Sequence, residues 1–295
     1  METNEIRVET KTKGLYQILK EGGFLGDITS KTIRDFLFKN FTLDFETKER
    51  LMCWENELKF WEESREVYRY MEMGAPFRKL NEVMKKLIEV KSDQIWLDAG
   101  CGPAKISEII WEKSDKSLKK IVGIDIIIGD LARQKLKEIP VLELKSANLG
   151  ERLNFPDNYF DGIVSNLVIS YIIDFEGKIG KEAMQEIFNE FARILKPGGQ
   201  LVWSTVIKNI HPEIGFISAT WDILTNIKKI PNLPITITNL LKYAKTLQRK
   251  GKSGAYTYLS TTEWNQMLKK SGFINSTWNF VFIGQTIVNS SFLLK

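Results

Sequence analysis

The chain is short of the residues that most often ligate metals or form crosslinks. It has one histidine and two cysteines in 295 residues. Cys53 and Cys101 lie far apart, so no disulfide framework is expected and a reduced, cytoplasmic setting fits. No apolar run reaches about 18 residues, so no membrane-spanning helix is expected. The opening Met1-Glu2-Thr3-Asn4-Glu5 is acidic and polar, which does not match a secretory signal. Charge of one sign is not in large excess. The formal net charge of +5 permits an anionic partner without requiring one. What remains is the composition of an ordinary globular protein, long enough for one large α/β domain with additions.

The stretch that organises the chain is Ile95-Trp96-Leu97-Asp98-Ala99-Gly100-Cys101-Gly102-Pro103-Ala104. Ile95, Trp96 and Leu97 read as a buried parallel strand, and Asp98 closes the run. Gly100 and Gly102 permit a sharp turn and a close backbone approach to a ligand. Ile106, Ile109 and Ile110 then share one face of a helix. A strand, a glycine turn and a helix N-terminus make a nucleotide-type cradle. The dinucleotide fingerprint needs a third glycine where Lys105 stands, and no Gly-Lys-Ser/Thr ending follows this loop. An acidic residue just before the glycines suits a ligand with a positive charge and no phosphate.

On these residues the sequence resembles the class I S-adenosylmethionine (SAM) dependent methyltransferases, with Ala104 in place of a third loop glycine. Three further stretches carry the resemblance. Asp125 ends a second apolar strand, 25 residues after Gly100. The segment Leu153-Asn154-Phe155-Pro156-Asp157-Asn158-Tyr159-Phe160-Asp161 is a turn into a fourth strand, and Leu195-Lys196-Pro197-Gly198-Gly199 a turn before a fifth. The family's fold is then implied. It is a Rossmann-like seven-stranded α/β sheet of order 3-2-1-4-5-7-6, last strand antiparallel, with a helical N-terminal cap and a helical lid after strand five. SAM is the implied cofactor, S-adenosylhomocysteine its product, and no metal is expected. By the resemblance, Asp98, Gly100, Cys101, Gly102, Pro103, Asp125, Ile126, Asn148, Leu149, Ser165 and Asn166 form the cofactor site. Asp125 would take the ribose hydroxyls, Ile126 one adenine face, Asn148 the adenine amino group and the Leu149 backbone a ring nitrogen.

Helical periodicity predicts a cap over residues 1–89. Ser30 is expected to cap a short helix, and a long helix is expected over about 46–73 with Leu51, Trp54, Leu58, Trp61 and Tyr68 on one face. The donor-binding core is read over 90–206 and 260–295, and a lid over 207–259. Eight basic and two acidic residues fall between 207 and 252, so the positive charge is local to that lid. It fits a solvated face, an anionic membrane surface or an acidic partner. His211 and Tyr70 are the candidate catalytic residues, and Trp61, Tyr68, Phe216 and Trp221 the candidate acceptor contacts.

The expected function is methyl transfer to oxygen or carbon of a small or lipid-like molecule, because strand four resembles that of the quinone-biosynthesis C-methyltransferases. A tRNA or rRNA methyltransferase is the alternative, and a SAM-binding protein without transferase activity a second. Asn166-Leu167-Val168-Ile169 stands where nucleic-acid amine methyltransferases carry Asn-Pro-Pro-Tyr, and no DNA partner is expected.

Overall fold

The computed structural model describes residues 12–24, 28–39, 43–72, 74–208 and 233–294, with all their side chains except those of 66–72 and 233–237. Seven strands form one sheet: β1 (Ile95–Ala99), β2 (Lys120–Asp125), β3 (Leu142–Ser146), β4 (Phe160–Asn166), β5 (Leu195–Val206), β6 (Phe273–Val281) and β7 (Thr286–Leu293). Their order is β3-β2-β1-β4-β5-β7-β6. β7 runs antiparallel to both neighbours and the remaining pairs are parallel. This is the expected Rossmann-like order.

The described helices are α1 (Leu15–Glu21), α2 (Ser30–Lys39), α3 (Phe45–Glu72), α4 (Ala75–Leu87), α5 (Lys105–Lys113), α6 (Asp130–Lys135), α7 (Gly180–Ile194), α8 (Leu233–Lys252) and α9 (Thr261–Lys270). Successive strand residues point to opposite faces, and both faces of this sheet are covered. Trp96, Ile121, Val164 and Val202 pack with α4 and α5. Leu97, Val122, Ile163 and Trp203 pack with α7 and α9. This alternation places Asp98, two residues after Trp96, on the α5 side.

Element boundaries depart from expectation where the backbone has a local alternative. The Lys-Pro-Gly-Gly segment lies within β5 rather than before it: Leu195 already pairs with Phe160, and the register then shifts. Ser30 does not cap α2. Thr29 does, accepting the Thr32 N–H at 3.1 Å, and this leaves the Ser30 hydroxyl to donate to Glu62 of α3 at 2.6 Å. The start of α9 is as expected and has a physical reason, the reciprocal capping box of Ser260 and Glu263.

The N-terminal helices have their own core, with Leu15, Leu19, Ile33, Leu51 and Leu58 fully enclosed. They are tied to the sheet by buried polar contacts. Arg50 of α3 grips Asp174 with two donors, at 2.9 and 3.3 Å, and the Trp54 indole N–H reaches the same carboxylate at 2.9 Å. A planar guanidinium fork meeting a carboxylate in this way is directional as well as charged. Glu151, in the loop after β3, accepts the Tyr16 N–H of α1, and the absence of a Cβ at Gly14 permits the close approach.

Burial is the main cause that pushes the Glu151 carboxyl up to about 7, with Glu176 and Asp174 adding to it. An acid whose folded pKa lies above its unfolded value contributes full stability below the unfolded pKa. That stability is lost as pH rises through the folded one, here between about 4.5 and 7, and amounts to at most about 3 kcal/mol. Glu151→Gln keeps an acceptor and removes the charge. It is expected to melt with the wild type at pH about 5 and above it at pH about 8.5. Thermal denaturation at the two pH values checks this, and a variant that melts lower at high pH would contradict it.

Candidate active site

The turn after β1 is built by its own backbone. The N–H groups of Gly100 and Cys101 both donate to the Ile124 carbonyl, at 2.8 and 2.9 Å, which pins the loop across the end of β2. Gly100 has φ +76°, and a Cβ there would lie 2.4 Å from Val168, so both conformation and space demand glycine. Gly102 has φ +50° and open space where a Cβ would stand. Ala104, in the place of the third glycine, is left-handed too, at φ 59°. Its methyl is fully buried between α5 and the sheet. The left-handed strain of about 1–2 kcal/mol is therefore partly offset by burying one methyl, about 0.8 kcal/mol.

Asp98 does not face the loop's open side. It is buried on the α5 face, where one carboxylate oxygen accepts the Ser107 N–H at 2.9 Å and the Ser107 hydroxyl at 2.7 Å. It thus caps α5 from beneath, and burial raises its pKa to about 6. Asp125 does face the open side. One oxygen accepts the Gly102 N–H at 2.9 Å and the other the Ile127 N–H at 3.0 Å. Burial raises its pKa, and the backbone donors, Ile127 and Gly102 foremost, together with the Arg65 charge, oppose that rise. A carboxylate offers about four acceptor directions, so two remain for a ligand.

One cavity of about 370 Å³ gathers these groups. Gly100, Cys101, Gly102, Pro103, Asp125, Ile126, Asn148, Leu149 and Asn166 line it, as does Trp61. Asp98 and Ser165 do not. Ser165 is fully buried, with its hydroxyl donated to the Ala99 carbonyl at 2.9 Å, so it joins β4 to β1. Asn148 is buried, and its carbonyl oxygen accepts the Gly150 N–H at 2.9 Å. Its amide nitrogen has no partner. The group left over is therefore a donor. It suits a ring nitrogen acceptor rather than the amino group that the resemblance implies. Burial also pushes the Cys101 thiol well above its usual range, so it stays protonated.

His211, Phe216 and Trp221 lie outside the described residues, as do the side chains of Tyr68 and Tyr70 within α3. The opposite wall is richer than the sequence indicated. Trp54, Glu57, Leu58, Trp61, Ser64 and Arg65 line it from α3, and Leu167, Val168, Tyr171 and Ile172 from the end of β4. Trp54 and Leu58 carry the helical-face signal that sequence could show. Glu57 and Arg65 carry none, because nothing local marks which charged residue of a long helix points inward. Among the described residues no group of three or more His, Cys, Asp or Glu side chains is placed to hold a metal ion.

Gly100→Ala is expected to lower the melting temperature by several degrees and to abolish ligand binding in the cavity, because the added methyl meets Val168 in a left-handed turn. Calorimetry and thermal melts check both, and near-wild-type values for both would contradict the account.

A protein-family model described as a methyltransferase domain matches residues 97–203. The chain is 33% identical over 120 residues to the biotin biosynthesis bifunctional protein of Teredinibacter turnerae, an alignment covering 38% of this chain and 20% of that protein. It is 32% identical over 133 residues to the ubiquinone/menaquinone biosynthesis C-methyltransferase of Vibrio cholerae, covering 43% of this chain and 45% of the relative. The matches thus span less than half the length of these relatives. Among solved structures, geranyl diphosphate C-methyltransferase from Streptomyces coelicolor superposes with a TM-score of 0.50 at 13% identity, covering 74% of this chain and 79% of that one. That likeness speaks to the fold. With the strand order and the matched segment in agreement, residues 97–203 carry a methyltransferase domain on the class I, Rossmann-like fold.

Proposed function

We propose that this protein transfers the methyl group of SAM to carbon or oxygen of a small or lipid-like acceptor, by in-line displacement that relies mainly on positioning. The observation that carries the reading is the cavity that joins the glycine loop and Asp125 to an apolar wall from α3 and the segment after β4. The donor half fits the cofactor. Asp125 has two acceptor directions for a pair of ribose hydroxyls, and the orphaned Asn148 amide has the polarity for a ring nitrogen. Ile126 and Leu149 flank the same space as apolar surfaces, and the open side of Gly102 admits close approach. When bound, SAM supplies an electrophilic methyl already activated by its sulfonium.

The chain's own work is then to hold, orient and dry. Trp54, Leu58, Trp61, Val168 and Ile172 make the facing wall apolar. An apolar wall strengthens the remaining electrostatic contacts and excludes water from the displacement. The reading assigns residues 1–89 to a cap, 90–206 with 260–295 to donor binding, and 207–259 to a lid. In its favour, Leu240, Tyr243 and Leu247 of α8 are buried with Tyr256 and Tyr258 against Tyr171, Phe60 and Trp61. Lys242, Lys245 and Arg249 remain exposed on α8, which suits peripheral contact with an anionic membrane carrying the acceptor. One of the proteins the chain resembles is named as a ubiquinone/menaquinone biosynthesis C-methyltransferase, in keeping with methyl transfer to carbon. Cys53 and Cys101 are unpaired thiols, in keeping with a cytoplasmic setting.

Calorimetric titration with S-adenosylhomocysteine, with NAD as control, tests the donor assignment. Binding of S-adenosylhomocysteine alone is expected. Asp125→Ala is expected to weaken it roughly 10- to 100-fold, as lost hydrogen bonds to a charged group would. Unchanged affinity in that variant would remove Asp125 from the site, and a wild type that binds neither ligand would overturn the reading.

A further inference from the structure

Three tyrosines pack together behind the apolar wall. Tyr171 has its ring centroid 5.0 Å from that of Tyr256 and 6.3 Å from that of Tyr258. Two of the three hydroxyls are committed. Tyr256 donates to Glu57, and Tyr258 to the Leu247 carbonyl at 3.3 Å. Tyr171 is nine-tenths buried, lines the cavity, and its hydroxyl makes no hydrogen bond with any described residue. The hydroxyl is not one of the fully enclosed polar atoms without a partner, so it stays accessible from the cavity, where a ligand oxygen can accept from it.

The neighbouring polar groups do not compete for that place. Glu57 also lines the cavity, but its carboxylate accepts from the Trp61 indole at 2.6 Å, from Tyr256 and from Lys250. The Lys250 ammonium is held in turn 4.7 Å from the Phe60 ring centroid and 4.9 Å from that of Tyr256. The Glu57 charge is thereby neutralised, and three of its roughly four acceptor directions are used. Arg65 is exposed and acts on Asp125, toward the donor half. The Asn166 carbonyl accepts the Ser204 hydroxyl at 2.6 Å. The Trp61 ring centroid lies 5.4 Å from that of Tyr171, and Trp54, Leu58, Val168 and Ile172 are in the same lining.

We propose that the Tyr171 hydroxyl contacts and orients the acceptor, which is an apolar planar molecule carrying an oxygen that accepts this hydrogen bond. The proposal rests on the methyltransferase reading and names the acceptor class for the same site. Burial pushes the Tyr171 pKa far up, so the phenol remains a donor at every working pH. A donor in the cavity wall selects a carbonyl or ring-bound oxygen over a hydrocarbon of the same shape. The hydrogen bond fixes the ring's orientation while Trp61 and the aliphatic wall supply the contact area.

The test uses a pair of isosteric probes, acetophenone and isopropenylbenzene, titrated by calorimetry into the full chain saturated with S-adenosylhomocysteine. The wild type is expected to prefer the ketone by about 3- to 10-fold, the usual worth of one neutral hydrogen bond. Tyr171→Phe is expected to abolish that preference. Its affinity for isopropenylbenzene and for S-adenosylhomocysteine should stay within about twofold, and its melting temperature close to that of the wild type, because no hydrogen bond to a described residue is removed. A retained preference, or no binding of either probe by the loaded wild type, would overturn the proposal. A fall in S-adenosylhomocysteine affinity would assign the hydroxyl to the donor half, and a melting temperature lowered by several degrees would assign it to the fold. Failure of the wild type to bind S-adenosylhomocysteine at all would overturn the methyltransferase reading itself, and this proposal with it.

Discussion

The carboxylate of Asp125 is the contact on which the site depends. Each of its oxygens holds a backbone N–H, one from Gly102 in the loop after β1 and one from Ile127 just beyond β2. The carboxyl ends of two parallel strands are thereby joined by one side chain, with acceptor capacity to spare. Removing it would remove a ligand contact and also loosen the glycine loop, whose other support is the Ile124 carbonyl. Asp98 does the complementary work below. By capping α5 it keeps the helix start under the loop, so two carboxylates with similar sequence settings have different tasks. Their sheet faces decide which does which.

α3 stands opposite this cradle and is held at two points. Near its start, Arg50 and Trp54 converge on Asp174, beyond the end of β4. A turn later, Glu57 takes Trp61 of α3 itself together with Tyr256 and Lys250 from the segment that follows β5. Buried ion pairs bring little net stability once desolvation is counted, but breaking one leaves an uncompensated charge. Their effect here is directional. They fix one register of α3 against the sheet, and so fix which of its side chains face the cavity.

Much of the fold was legible in the sequence because parallel strands buried on both faces read as apolar runs. The runs at Ile95 to Leu97 and Ile121 to Ile124 are short, continuous and bounded by acids. The helical spacing of Leu51, Trp54 and Leu58 likewise showed a buried face. Local competition was less legible. Thr29 rather than Ser30 caps α2, and the Lys-Pro-Gly-Gly segment is absorbed into β5 as an irregularity. On α8 the buried face includes Tyr243, while Leu241 is 40% exposed, because the helix packs on α3 and the tyrosine cluster rather than on the sheet. Single-helix periodicity carries no information about that partner.

The sequence by itself determined the order of elements and the donor loop, since apolar runs, acids at strand ends and glycines in left-handed turns are local properties. Only the tertiary structure decided what each polar group has left to offer. Asn148 presents an amide nitrogen because the Gly150 N–H occupies its oxygen. Asp98 is spent on Ser107. Tyr171 makes no side-chain hydrogen bond among the described residues, while Tyr256 and Tyr258, equal to it in sequence terms, are committed to Glu57 and Leu247. Hydrogen-bond capacity is a remainder after all neighbours have been served, and the neighbours of a residue are set by packing between distant segments rather than by the residues beside it.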